Sequence, residues 1–106
     1  MSTILVVEDN SITRKLLRLT LENKGYTVVE AGDEREALLA AGQARPDLLL
    51  VDYVLPDADG LHVVADIARL PGLATVPAVL LTGMVSHLEA LRAQAPAHVH
   101  VVPKTV

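Results

Sequence analysis

A chain of 106 residues is the length of one small domain with a single hydrophobic core. Half of it is apolar, but Tyr26 and Tyr53 are its only aromatic residues, so Leu, Val, Ile and Ala must build that core. A net charge of −4 leaves no basic footprint for nucleic acid, and a mean hydropathy above zero argues against disorder. Cysteine is absent, which suits a reducing compartment. The start, Met1-Ser2-Thr3, has no basic segment, and the apolar run after it stops at Glu8-Asp9, too short for a signal peptide or a membrane span. A soluble, cytoplasmic protein is expected.

The first apolar run covers residues 4–7. Residues 11–24 follow, with Arg14, Lys15, Arg18 and Glu22 on one arc at roughly 100° per residue and Ile12, Leu16, Leu17 and Leu19 on the other, which predicts a helix closed by Gly25. A second run at 27–29 precedes a helix opened by Asp33, with Glu36 three residues on in a capping-box pattern, ending near Gly42 before Arg45-Pro46. A third run, 48–51, leads to Asp52. A helix from about 60 to 70 then turns Leu61, Val64, Ile67 and Ala68 inward until Pro71-Gly72 stops it. Pro77 can start a fourth run at 79–81, where a missing N–H does least harm. A short helix around 86–94 ends at Pro96, and a fifth run spans 99–102. Several runs are continuously apolar, as strands covered on both faces are. The alternation predicts an α/β fold, one doubly wound, open parallel sheet with right-handed crossovers, over residues 1–106.

In such sheets, sites form beyond the carboxyl ends of the strands. Those ends carry Glu8 and Asp9, Asp52, Thr82 and, after the fifth strand, Lys104. Crowded carboxylates repel by about 4 kcal/mol per pair at ~4 Å and an effective dielectric near 20. One lysine cannot neutralise three acids, so a divalent cation is the natural remedy, and an all-oxygen site favours Mg²⁺. A carboxylate is a competent nucleophile toward a phosphoryl group, whose spread charge a metal ion and a lysine stabilise. The Thr82 hydroxyl suits a hydrogen bond to a phosphoryl oxygen.

These residues resemble the receiver domain of two-component response regulators along nearly the whole chain. Ile4-Leu5-Val6-Val7-Glu8-Asp9-Asn10 is similar to that family's first strand with its acidic pair. Val51-Asp52-Tyr53-Val54-Leu55-Pro56-Asp57-Ala58-Asp59-Gly60 is similar to its phosphoacceptor strand and following loop. Leu81-Thr82-Gly83 resembles the hydroxyl-bearing end of its fourth strand, and Lys104 stands where its lysine would be. The resemblance implies a flavodoxin-like, CheY-like sheet of order 2-1-3-4-5. It implies Mg²⁺ held by Asp9, Asp52 and the Val54 main-chain carbonyl, with Glu8 acting largely through water. It further implies Asp52 as acceptor from a phosphohistidine, with Thr82 and Lys104 on the phosphoryl oxygens. The implied donor is a sensor histidine kinase or a phosphotransfer protein in a phosphorelay. Such a domain accelerates only its own phosphorylation and dephosphorylation, and turns over no external substrate.

The chain departs from the family in three places. Members continue past the fifth strand into a fifth helix packed beside the first, whereas this sequence stops at Val106. With that helix absent or truncated, an apolar patch is expected on one sheet face, and with it homodimerisation or docking of a partner. Members often carry Tyr or Phe three residues before the lysine; here the position is Val101, with His100 pointing to the opposite face, so an unconventional output is expected. Finally, Pro103 precedes Lys104 and Thr105 follows it, where the family usually has proline after the lysine.

Other readings compete. A pseudo-receiver would keep the fold as a protein-interaction module only. A haloacid-dehalogenase-like phosphohydrolase needs a second Asp two residues after the nucleophile, but Val54 stands there. Nucleotide binding lacks its glycine-rich loop after strand one. Asp9 or Ser11 suits a helix cap, and Asp57, Asp59 and Gly60 suit loop and cap roles. His62, His87, His98 and His100 lack metal-ligand spacing and are expected in surface or packing roles. Arg14, Lys15 and Arg18 form either a solvated face or a kinase-docking surface. Val54 and Met84 flank the pocket and are expected to control its access to water.

Overall fold

The computed structural model describes residues 2–104; Thr105, noted above for following the lysine, lies outside them. Strands β1 (Thr3–Val7), β2 (Thr27–Ala31), β3 (Leu48–Asp52), β4 (Ala78–Thr82) and β5 (Val99–Pro103) pair in parallel in the order β2-β1-β3-β4-β5. Between them run helices α1 (Ser11–Asn23), α2 (Glu34–Ala44), α3 (Gly60–Ala68) and α4 (Leu88–Gln94). The predicted fold class and strand order are thus observed. The chain leaves β1 in one direction for β2 and crosses back to β3, so the carboxyl ends of β1 and β3 flank the switch point where sites form.

Strand residues alternate between the sheet's two faces. Leu5, Val7, Leu49, Val51, Ala78, Leu80, Val99 and Val101 pack into one buried cluster with Ala37 and Ala41 of α2, Val63, Val64 and Ile67 of α3, and Leu91 of α4. The opposite face carries Ile4 and Val6, both buried, and α1 packs against β1 and β2. Farther along that face Leu48, Leu50, Val79 and Leu81 are only partly buried, and His100 and Val102 are exposed. No helix among the described residues covers β4 and β5 there. The expected apolar patch is present, and Val101 and His100 point to opposite faces as anticipated.

Helix α1 sits differently from expectation. Most of its apolar arc faces outward: Ile12 is 72% exposed, Leu16 53% and Leu19 48%, while Leu17 is partly buried. The cause is Glu30 on β2, opposite Val6 in the register and so on the α1 side of the sheet. Arg14 Nε lies 3.2 Å and Arg18 Nη1 2.7 Å from its two carboxylate oxygens, so the basic residues reach into the protein. Arg14 and Arg18 are therefore not a freely solvated face.

The helix ends follow local chemistry. Asn10, rather than Asp9 or Ser11, caps α1: its extended backbone lets Oδ1 accept from Ile12 N–H and Thr13 N–H, both at 3.0 Å. At the other end Gly25, at φ +94°, gives its N–H to Glu22 and lets Tyr26 N–H reach Leu21, as a helix-closing glycine does. Asp33 caps α2 by accepting from Glu36 N–H at 2.8 Å, while Glu36 Oε1 accepts from Gly32 N–H at 2.6 Å. α2 runs through Gly42 to Ala44, and Arg45 breaks it in the left-handed region (φ 50°), because a residue before proline avoids helical geometry. α3 ends at Ala68, two residues short of expectation, and a 3₁₀ turn at Val85–His87 replaces the predicted start of α4.

Gly60 is the tightest point in the fold. A Cβ there would stand 2.6 Å from the Asp52 carbonyl oxygen and collide with Leu80 Cδ1. Its N–H donates to Tyr53 O at 2.7 Å, which seats the start of α3 directly on the end of β3. Gly60→Ala is expected to destabilise the domain by about 1–3 kcal/mol, the usual cost of overpacking a close-packed site, in urea unfolding.

Candidate functional site

β1 and β3 are neighbours, so their carboxyl ends bring Glu8, Asp9 and Asp52 together. One carboxylate oxygen from each lies within 4.8 Å of the others. Glu8 is 1% exposed and Asp52 8%, while Asp9 is exposed. Lys104, just beyond β5, brings Nζ to 2.5 Å from Glu8 Oε1 and 3.3 Å from Asp52 Oδ2. Its backbone N–H donates to Thr82 O at 2.7 Å, which fixes the end of β5 beside the end of β4. The lysine therefore reaches the acidic pocket with Pro103 before it.

Thr82 is fully buried at the end of β4. Its Oγ1 accepts from Met84 N–H at 3.0 Å, which leaves the hydroxyl proton available to donate. Val54 stands in the loop after Asp52, bridged to Asp59, with 59% of its surface exposed; Met84 is 40% exposed. Asp59 caps α3 by accepting from His62 N–H at 2.9 Å, and Asp57 Oδ1 accepts from Glu34 N–H at 3.0 Å, so both serve as loop and cap residues.

Sequence reasoning missed the residues that hold Glu8. Asn10 N–H donates to Glu8 Oε2 at 3.1 Å, and Arg14 Nη1 donates to the Glu8 carbonyl at 2.8 Å. Asn10 directly follows the acidic pair, so its cap role was readable; the reach of Arg14 to the strand end depends on how α1 is rolled, which the helical arc alone does not give. His62 is at the surface as expected, and there it lies against Glu34 and Asp66, neighbours that sequence reasoning did not assign to it.

The electrostatics are lopsided. Burial alone would push the Glu8 carboxyl up, but hydrogen bonds from Lys104 and Asn10 outweigh it and hold Glu8 below its ordinary value. Asp52 goes the other way: burial raises it, the neighbouring Glu8 charge raises it further, and Lys104 compensates only in part. Burial works against the Lys104 charge, yet the bond to Glu8 and the Asp52 charge hold the ammonium above its ordinary range. A site with two buried carboxylates, a third at its mouth and one lysine fits a hard divalent cation with oxygen ligands.

The chain matches the family described as "response regulator receiver domain" over residues 4–106. It is 37% identical over 82 residues to the KDP operon transcriptional regulatory protein KdpE of Escherichia coli, a stretch covering 77% of this chain and 35% of KdpE. Among solved structures it resembles chemotaxis protein CheY4 of Vibrio cholerae (TM-score 0.89, 28% identity, all of this chain and 88% of that one). It also resembles response regulator TrrA of Thermotoga maritima in complex with Mg²⁺-BeF (TM-score 0.83, 30% identity, 99% of this chain and 88% of that one). Matches to the first curated relatives span between 33% and 65% of those proteins' lengths.

The signs of the pKa shifts predict how stability follows pH. Glu8, held low, stabilises the fold at neutral pH, and that support is lost as pH falls through its lowered value. Lys104, held high, stabilises up to its ordinary value and loses this as pH rises through the raised one. Asp52, held high, favours the fold when protonated, so its ionisation above the raised value works against folding. In Mg²⁺-free buffer at pH 7, Asp52→Asn is therefore expected to melt higher than wild type, by roughly 4–8 °C for each 1 kcal/mol relieved. The difference should vanish in acid, where wild-type Asp52 is protonated.

Proposed function

The chain belongs to the response regulator receiver domain family, and from that premise we propose that Asp52 accepts a phosphoryl group from a phosphohistidine donor in a Mg²⁺-dependent reaction. The observation that carries this reading is the placement of Asp52, nearly buried at the switch-point end of β3, between two further carboxylates and one lysine. Glu8, Asp9, Asp52 and the Val54 carbonyl would hold the Mg²⁺, which when bound neutralises the carboxylates and the transferred charge. An Asp52 oxygen forms the new P–O bond as the donor's P–N bond breaks, and the freed imidazole keeps the electron pair and takes a proton. Lys104, 3.3 Å from Asp52, and the Thr82 hydroxyl at the end of the neighbouring strand would meet the phosphoryl oxygens. Val54 and Met84, at the pocket rim, then govern how readily water reaches the acyl phosphate. The domain acts only on itself, and its donor is a sensor histidine kinase or phosphotransfer protein of a two-component phosphorelay. A cytoplasmic site agrees with that donor; no helix among the described residues is long and apolar enough to cross a membrane.

Intact-mass spectrometry after incubation with acetyl phosphate tests this directly. One phosphoryl group is expected on wild type with Mg²⁺, and none without Mg²⁺ or on Asp52→Asn. A folded protein that gains no phosphoryl group under any of these conditions would overturn the reading in favour of a pseudo-receiver, an outcome the small Val101 in place of an aromatic would suit.

We also propose that phosphorylation switches an association through the face bearing α1. The supporting observation is the exposed row Ile12, Leu16 and Leu19 on the same side of the sheet as exposed Val102. A homodimer is expected by size exclusion with light scattering at low micromolar concentration, reduced to monomer by Leu16→Lys. A well-folded wild-type monomer in both phosphorylation states would refute the homodimer.

A further inference from the structure

Away from the phosphoacceptor pocket, the structure brings together a second group of ligating side chains. Glu34 opens α2; His62 and Asp66 stand one turn apart on α3. His62 Nε2 lies 3.4 Å from Glu34 Oε2 and 3.1 Å from Asp66 Oδ2. We propose that Glu34, His62 and Asp66 form a site for a divalent transition-metal ion of the zinc type, clamping α2 to α3.

Three observations carry it. The first is spacing: bonds of about 2.0–2.1 Å in a tetrahedral zinc site put neighbouring ligand atoms roughly 3.3 Å apart. The two distances to His62 Nε2 match that edge, and one ligand atom of each residue lies within 4.8 Å of the others. The second is an orphaned atom. Glu34 Oε2 is shut off from solvent and, although it lies in ion-pair range of His62, accepts no hydrogen bond among the described residues, a state that is costly for a carboxylate oxygen. The third is charge. The Glu34 and Asp66 carboxylates converge on one imidazole, and the Asp57 carboxylate sits beside them, accepting from the Glu34 N–H at 3.0 Å. A cation among these groups relieves their repulsion, and Arg69, paired with Asp66 through Oδ1, leaves Oδ2 to the site.

The ligand set also selects the ion. One imidazole and two carboxylates suit zinc and its neighbours, whereas the acidic pocket around Asp52 offers only oxygen and suits Mg²⁺. His62 is 58% exposed on its side chain, so the fourth position opens to water. The side chains of Glu34 and Asp66 are each 20% exposed, which makes the site a partly enclosed seam between two helices rather than a loose surface cluster. This inference does not depend on whether Asp52 is phosphorylated.

Isothermal titration of the whole chain with ZnCl₂, in excess Mg²⁺ to keep the acidic pocket filled, tests it. One Zn²⁺ per chain is expected, bound at least about tenfold more weakly by His62→Ala and by Asp66→Asn. Circular dichroism should show both variants folded. Binding at the same strength in His62→Ala would overturn the proposal, as would the absence of any zinc heat at pH 7. Zinc binding lost in Asp52→Asn but kept in His62→Ala would place the ion in the acidic pocket and overturn it equally. Zinc should also raise the wild-type melting temperature and leave that of His62→Ala unmoved; equal rises would count against the site.

Discussion

Lys104 Nζ stands between Glu8 and Asp52, two carboxylates that a parallel sheet has delivered to one place and largely removed from water. Taking a carboxylate out of water costs several kcal/mol even after relaxation, and removing one partner of a buried pair typically costs about 3–5 kcal/mol. The chain must bring position 104 back across nearly its whole length to meet position 8. It does so through the sheet: Lys104 N–H is bonded to Thr82 O, β4 is paired with β3, and β3 with β1. Tertiary order and site electrostatics are in this sense one problem. The lysine spends its shortest contact on Glu8, the more deeply buried acid, and leaves Asp52 only partly compensated. That residual imbalance leaves negative charge at the strand ends that one lysine does not neutralise.

The rest of the molecule shelters this arrangement unevenly. One sheet face is sealed by α2, α3 and α4 over a cluster made of aliphatic side chains. On the other, α1 is the only helix among the described residues, held by arginines on Glu30 beside the partly buried Leu17 and Leu21. An ion-paired helix with an outward apolar row is a poor solution for an isolated domain, since partly exposed ion pairs contribute little. It is a reasonable one for a surface that something else covers. At the β5 edge, Arg92 Nε donates to Val101 O at 3.2 Å, and Pro103 offers no N–H, two features that blunt an edge strand against unwanted pairing.

Much of this was legible in the sequence, and the pattern of misses is physical. Continuously apolar runs ending in Glu8, Asp52 and Thr82 located the strands and the site, because parallel strands are buried on both faces and their carboxyl ends are where polar side chains can converge. The caps at Asp33 and Asp59 and the stop at Gly25 rest on contacts within a few residues, and one-dimensional reading finds those. What failed was long-range. The roll of α1 is set by Glu30, 16 positions from Arg14, and no arc drawn on the helix alone reveals which side an acidic strand residue will claim. Asp66, one turn on from His62, was within reach of local reading, but Glu34 is 28 positions away and becomes a neighbour only when α2 packs on α3. Gly42 looked like a helix end, but Pro46 decided it, through the residue before it.

The loop between Asp52 and α3 shows why the site can be read as preorganised. Tyr53 N–H is tied to Leu81 O at 2.8 Å and Tyr53 O to Gly60 N–H at 2.7 Å, so both ends are fixed to the sheet. Leu55 N–H closes a turn onto Ala58 O at 3.2 Å, and Asp59 and Asp57 fasten the loop to the starts of α3 and α2. None of these bonds uses the Asp52 carboxylate. The scaffold therefore holds the acid in place without help from its charge, and substituting that side chain with an isosteric amide leaves every anchor of the loop intact. Effects measured at Asp52 accordingly report its carboxylate rather than loop order. The side chain that meets the carboxylate directly is Lys104, whose ammonium is shared between Asp52 and Glu8 and is held from outside the loop, by the end of β5.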